Sequence, residues 1–182
     1  MFTASQQTAA ARDVMMANLG PPVEIVPLIK TSFAEFGPRI SPDGRWIAYA
    51  SNESGRNEVY VRPFPDVDQG RWQVSTDGGV DPRWAKNGRE LFFAKGGFGT
   101  PRTIWSTQVQ TGLTFVTGTP TEIAKSASAA SVEYDVAPDG RVLVHVDASG
   151  GAGRGAARPH LVVVQNWFDE LKARVPTTPR QD

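Results

Sequence analysis

Six charged side chains stand just ahead of three similar turns. Glu35 and Arg39 precede Gly44, Asp81 and Arg83 precede Gly88, and Glu133 and Asp135 precede Gly140. Aligned on the glycines, Arg39 and Arg83 coincide, and the third copy has Asp135 at that place. Both signs within a few residues of each turn suit recognition of a polar partner, because ionised donors and acceptors make the stronger hydrogen bonds. The plainer alternative is that these groups form solvated ion pairs and hydrogen bonds among themselves at strand ends.

Other chemistry finds less support in the residue types. His145 and His160 are the only histidines, and His145 takes the place held by Tyr49 and Phe93 in the other copies, which reads as a packed strand residue. Ser41 lies in a turn and not in a Gly-x-Ser-x-Gly elbow, so no serine nucleophile is indicated. The glycine-rich run 150–155 opens no helix and is followed by Arg158-Pro159 and a strand, so it does not read as a phosphate loop. Asp43, Asn87 and Asp139 are turn formers and lack the alternating ligands of a calcium loop. No metal and no cofactor is indicated. Trp46, Trp72, Trp84 and Trp105 fall in predicted strands, where aromatics fill sheet interfaces in preference to stacking a sugar.

The elements that position these residues repeat. Ser41-Pro42-Asp43-Gly44-Arg45, Ala85-Lys86-Asn87-Gly88-Arg89 and Ala137-Pro138-Asp139-Gly140-Arg141 are copies of one turn, with glycines 44 and 52 residues apart. A glycine after Asp or Asn accepts the positive φ of a tight hairpin. Strands are predicted over 12–17, 23–29, 35–40, 46–50, 58–62, 72–75, 81–85, 90–94, 103–109, 121–125, 132–137, 142–146 and 160–165. Ile40, Trp84 and Val136 align, as do Ile47, Leu91 and Leu143, and both sets are expected to pack between sheets. A repeat of this length implies four-stranded antiparallel units, the blades of a β-propeller. The expected fold is all-β: a partial β-propeller of about three to three and a half blades with a short C-terminal helix. Residues 1–11 are expected to be disordered, 12–30 to form a half blade, and 33–76, 79–125 and 131–165 to form blades. The connection Ser149 to Arg158 is expected to be mobile. Asn166 reads as the N-cap of a helix over 166–176, with Trp167, Leu171 and Val175 on one stripe sealing an outer edge, Pro176 ending it, and 177–182 a tail.

Composition narrows the partners. Nineteen basic side chains balance nineteen acidic ones over 182 residues, which gives no support to a nucleic-acid partner. There is no cysteine, so disulfides and thiolate metal sites are excluded. No stretch is apolar enough to form a transmembrane segment, and the N-terminal residues lack the apolar segment of a signal peptide. That reads as cytoplasmic for the chain as written, and as extracytoplasmic if it belongs to a longer exported or anchored protein.

The strings SPDGRWIAYASNESGRNEVYVRPFP, WQVSTDGGVDPRWAKNGRELFF and YDVAPDGRVLV resemble TolB-type, WD-like propeller repeats. The resemblance is strongest to the C-terminal propeller regions of bacterial serine/threonine protein kinases, and the ending VVVQNWFDELKARVP is similar to how such chains end. It implies a non-catalytic module that binds a protein or a small ligand at a central channel lined by Glu35, Arg39, Asp81, Arg83, Glu133 and Asp135. Any catalysis would lie elsewhere in a parent polypeptide, since this chain has no kinase Gly-rich loop, His-Arg-Asp or Asp-Phe-Gly. The alternatives are an accessory propeller of a prolyl-oligopeptidase-like hydrolase and a TolB-like envelope component. TolB-like rings have six or more blades, so the open blade faces of this chain predict a homodimer.

Overall fold

Each hairpin corner is built by the same local chemistry. In the computed structural model, which describes residues 12–96, 102–125 and 134–144, the amides of Gly44, Gly88 and Gly140 donate to the carbonyls of Ser41, Ala85 and Ala137, each at 2.9 Å. All three glycines have positive φ, at 71°, 68° and 86°, a region in which a Cβ is costly. The Oδ1 of Asp43, Asn87 and Asp139 accepts the amide of the arginine two residues on, at 3.1, 2.9 and 3.1 Å, closing an Asx turn inside each corner. Burial alone would raise the Asp43 carboxyl, but hydrogen bonds from Ser41 and Arg45 outweigh it and hold it below the ordinary range.

The strands make an all-β molecule of small antiparallel sheets. β1 (Val14–Asn18) and β2 (Glu24–Ile29) form a hairpin. β3 (Glu35–Ile40), β4 (Trp46–Ser51), β5 (Glu58–Pro63) and β6 (Trp72–Gln73) lie side by side in chain order. β7 (Val80–Trp84), β8 (Glu90–Lys95), β9 (Thr103–Thr111) and β10 (Phe115–Thr117) repeat that order in a second sheet, and β12 (Tyr134–Val136) and β13 (Val142–Val144) form a last hairpin. The predicted strands up to 109 match these bounds to within two residues. No α-helix occurs among the described residues, where the only helical element is a 3-10 turn at Val67–Gln69. The helix expected at 166–176, the strand at 160–165, the mobile connection and the N-terminal segment lie outside them.

The second sheet has one strand more than expected. Residues 121–125 form the expected outer strand, β11 (Thr121–Lys125), which pairs with the first half of β9, opposite Thr103 to Ser106. The last residues of β9, Val109 to Thr111, pair with β10. A nine-residue strand is long enough to serve both partners. With only three residues, β10 is too short for its alternation to be read from the chain.

Alternation along β4 and β8 explains why both strands read as nearly continuous apolar runs. Trp46 and Ala48 on one face of β4 pack against Leu91 and Phe93 of β8, with Val59, Val61 and Phe115 in the same cluster. Ile47 and Tyr49 on the other face of β4 pack against Val14 and Ile29 of the first hairpin. Phe92 and Ala94 on the other face of β8 pack with Tyr134, Val136, Val142 and Val144 of the last hairpin. Three apolar layers thus join four sheets stacked in chain order. The four tryptophans among the described residues belong to the first of these layers, where Trp46 and Trp72 meet edge to face at 5.5 Å and Trp84 and Trp105 pack against the cluster.

Two of the expected packing residues are on the surface. Ile40 is 51% exposed and Leu143 59% exposed. Leu143 has a clear cause. In the first two corners Ile40 pairs with Ile47 and Trp84 with Leu91, whereas in the third Val136 pairs with Val142, one residue earlier. The closing bond moves with it, from Ser41 N to Trp46 O and Ala85 N to Glu90 O, to Ala137 N and Arg141 O. A slip of one residue turns every side chain to the other face. Leu143 is therefore turned outward, and Val142 and Val144 take the packing positions.

Candidate functional site

The inner strands β3 and β7 share a second repeated device. Each carries a bulge, between Phe36 and Arg39 and between Val80 and Arg83. Gly37-Pro38-Arg39 and Asp81-Pro82-Arg83 sit at the same distance from their turn glycines. A bulge accommodates proline because the ladder there needs no amide donor. Gly37 has φ of 62°, and Asp81, at 52°, is the one non-glycine residue with positive φ among those described. Aspartate is among the few side chains that tolerate this region.

This device sets two arginines side by side. Arg39 Nη1 donates to the Pro38 carbonyl at 2.8 Å and Arg83 Nη1 to the Pro82 carbonyl at 3.0 Å. Trp84 Nε1 donates to the Arg39 carbonyl at 3.0 Å, tying β7 to β3. The Arg83 guanidinium stands 5.7 Å from the centre of the Tyr134 ring, and the Tyr134 hydroxyl donates to the Asp81 carbonyl at 2.5 Å. Arg102 Nη1 lies 3.1 Å from Asp81 Oδ2. Among the described residues neither Arg39 nor Arg83 forms an ion pair with a carboxylate.

The electrostatics follow from that crowding. Burial, and then the like charge of Arg83, lower the pKa of Arg39, while Asp81, Tyr134 and Asp135 act in the opposite direction. Burial raises the Tyr134 phenol far above its ordinary range, so it serves as a donor and not as a base. Arginine is likewise no proton shuttle. The arrangement can present guanidinium donors to a carboxylate, phosphate or carbonyl oxygen, and among the described residues it contains no nucleophile–base pair. No group of His, Cys, Asp and Glu among the described residues could hold a metal.

Of the six residues singled out from the sequence, the structure brings together Arg39, Asp81, Arg83 and Asp135. Glu35 is at the far end of β3, 2% exposed; Thr31 Oγ1 donates to its Oε1, and its Oε2 is buried without a partner among the described residues. Glu133, His145 and His160 lie outside the described residues. Sequence reasoning missed Tyr134, Trp84 and Arg102 as members of the cluster. One signal was available for Tyr134, which stands where Pro38 and Pro82 stand relative to their turn glycines. No protein-family model matches the chain, and no curated protein matches it.

Proposed function

We propose that the chain is a non-catalytic β-propeller module that binds a protein or a small ligand at the ends of its inner strands, through Arg39, Asp81, Arg83 and Asp135. In this reading β3–β6 and β7–β11 are whole blades, β1–β2 is the outer half of the blade before them, and β12–β13 is the inner half of the next. The TolB-type resemblance of residues 41–93 supports it, and the parent we propose is a signalling polypeptide of the bacterial serine/threonine kinase kind. The observation that carries the binding role is the repeated Gly/Asp-Pro-Arg bulge. It brings two like-charged guanidiniums near each other with no carboxylate ion-paired to either among the described residues, an arrangement that costs energy and that an acceptor on a ligand would relieve.

Charge reversal separates binding from folding. Arg39 is exposed and Arg83 half-buried, so the Arg39→Glu/Arg83→Glu double variant is expected to keep its unfolding free energy in urea to within about 1 kcal/mol. The same variant is expected to lose capture of partners from a bacterial lysate. Undiminished capture by the folded variant overturns the assignment.

The first hairpin also exposes Met15, Leu19, Val23 and Ile25 on the side away from the stack. Exposed apolar side chains gathered on one hairpin suit association, and the proposed occupant is a second copy that continues the ring. Light scattering is expected to give a dimer mass at micromolar concentration. A monomer mass at the highest soluble concentration removes the pairing.

A further inference from the structure

A groove of about 370 Å3 lies on the outer part of the first four-stranded sheet, lined by Phe33, Glu53, Ser54, Tyr60, Arg71 and Gln73. None of these residues belongs to the arginine cluster. Tyr60 and Gln73 are cross-strand partners on β5 and β6, so their side chains share a face, and the β4–β5 connection brings Glu53 and Ser54 beside it. Arg71 stands across the groove, its guanidinium 5.6 Å from the Tyr60 ring centre and its Nη1 donating to Glu53 Oε2 at 2.5 Å.

The other Glu53 oxygen, Oε1, is buried with no partner among the described residues, on a side chain only 10% exposed. A buried carboxylate oxygen without a donor is costly, and a donor from outside the chain is the natural remedy. Charge decides what that donor is. Arg71 already neutralises Glu53 and would repel a cation, and Glu53 would repel an anion. A neutral ligand rich in hydroxyls remains. The Phe33 ring, 40% exposed, adds an apolar platform, and a sugar ring combines hydroxyl donors with an apolar C–H face.

We propose that this groove is a saccharide-binding site for a neutral sugar. One hydroxyl donates to Glu53 Oε1 as the half-exposed Arg71 side chain shifts, Arg71 donates to a ring or hydroxyl oxygen, and the C–H face lies on Phe33. The site is independent of the inner-strand cluster and stands whether or not that cluster binds a partner.

Calorimetric titration of the full chain with maltose, cellobiose and N,N′-diacetylchitobiose tests it. Saturable binding of at least one is expected, with Kd of about 0.1–10 mM. Glu53→Gln and Phe33→Ala are each expected to weaken it at least about tenfold. Phe33 is exposed, so Phe33→Ala keeps the fold even if Glu53→Gln does not. Leu113→Ala, in the exposed β9–β10 turn, is expected to leave binding unchanged. Absence of saturable binding of all three sugars by the folded protein overturns the proposal, as does binding that survives both groove substitutions.

Discussion

Phe93→Ala is expected to destabilise the protein by about 3–5 kcal/mol, the range for removing a fully buried phenylalanine. Phe93 is fully buried in the middle of β8 and belongs to the layer that joins the two larger sheets, with Trp46, Ala48, Val59, Val61 and Leu91. Loss of the six ring carbons would leave a cavity between two sheets that are each held on their other face, so neither can move in to fill it. A domain of this size has only about 5–15 kcal/mol in total, and the loss is a large part of it. Urea unfolding followed by tryptophan fluorescence gives the number, with Leu113→Ala as the exposed comparison. A loss below about 1 kcal/mol for Phe93→Ala contradicts the shared core.

The second large effect is polar. Glu58 is buried at the start of β5 and receives three donors: Ser75 Oγ to Oε2, Gly78 N to Oε1 at 2.9 Å and Arg56 Nε to Oε1 at 3.0 Å. Ser75 Oγ in turn accepts the Val59 amide at 2.8 Å. The carboxylate therefore pins the end of the outer strand, and the link into the next sheet, to the start of β5. The packing leaves no slack, since a Cβ on Gly79 would lie 2.3 Å from Ser75 Oγ. Glu58→Ala leaves Ser75 and Gly78 without their acceptor, and roughly 2–6 kcal/mol is expected at 1–3 kcal/mol per unsatisfied group. Arg56 is more than half exposed, so its ion pair contributes little. The loss is accordingly expected to persist at 1 M salt, on the order of the concentration at which exposed charges are fully screened. Glu58→Gln, which keeps one acceptor in place, is expected to cost less. Equal stability of Glu58→Ala and the parent protein would show that the network does not hold the outer strand.

Much of this architecture was legible in the chain because its signals are local. The Asp-Gly and Asn-Gly corners, and the apolar runs Trp46–Ala50 and Glu90–Ala94, locate the hairpins before any long-range contact is considered. What the chain hid was register. Val136 pairs with Val142 and not with Leu143, a one-residue difference set by how the third corner closes, and the corner sequences themselves are nearly identical. Short β10 was invisible for the opposite reason, having too few residues to show a period.

The candidate cluster was legible in the same uneven way. Arg39 and Arg83 followed from their common distance to the turn glycines. The bulges that bring them together depend on a positive φ at Gly37 and Asp81, and the aspartate gives no local warning of it. Tyr134 joins only because the last hairpin packs on the second sheet, which is a tertiary fact. Glu35 has the right charge and the right strand, yet it is buried at the other end.

Amide hydrogen exchange by NMR tests the stacking of repeated sheets most directly. β4 and β8 each have a strand on both sides and an apolar layer on both faces. Their amides, with Tyr49 and Phe93 at the centre, are expected to exchange only through global unfolding, while those of β1–β2 and β12–β13 exchange through smaller openings. Exchange in β4 and β8 as fast as in the two terminal hairpins would contradict the account.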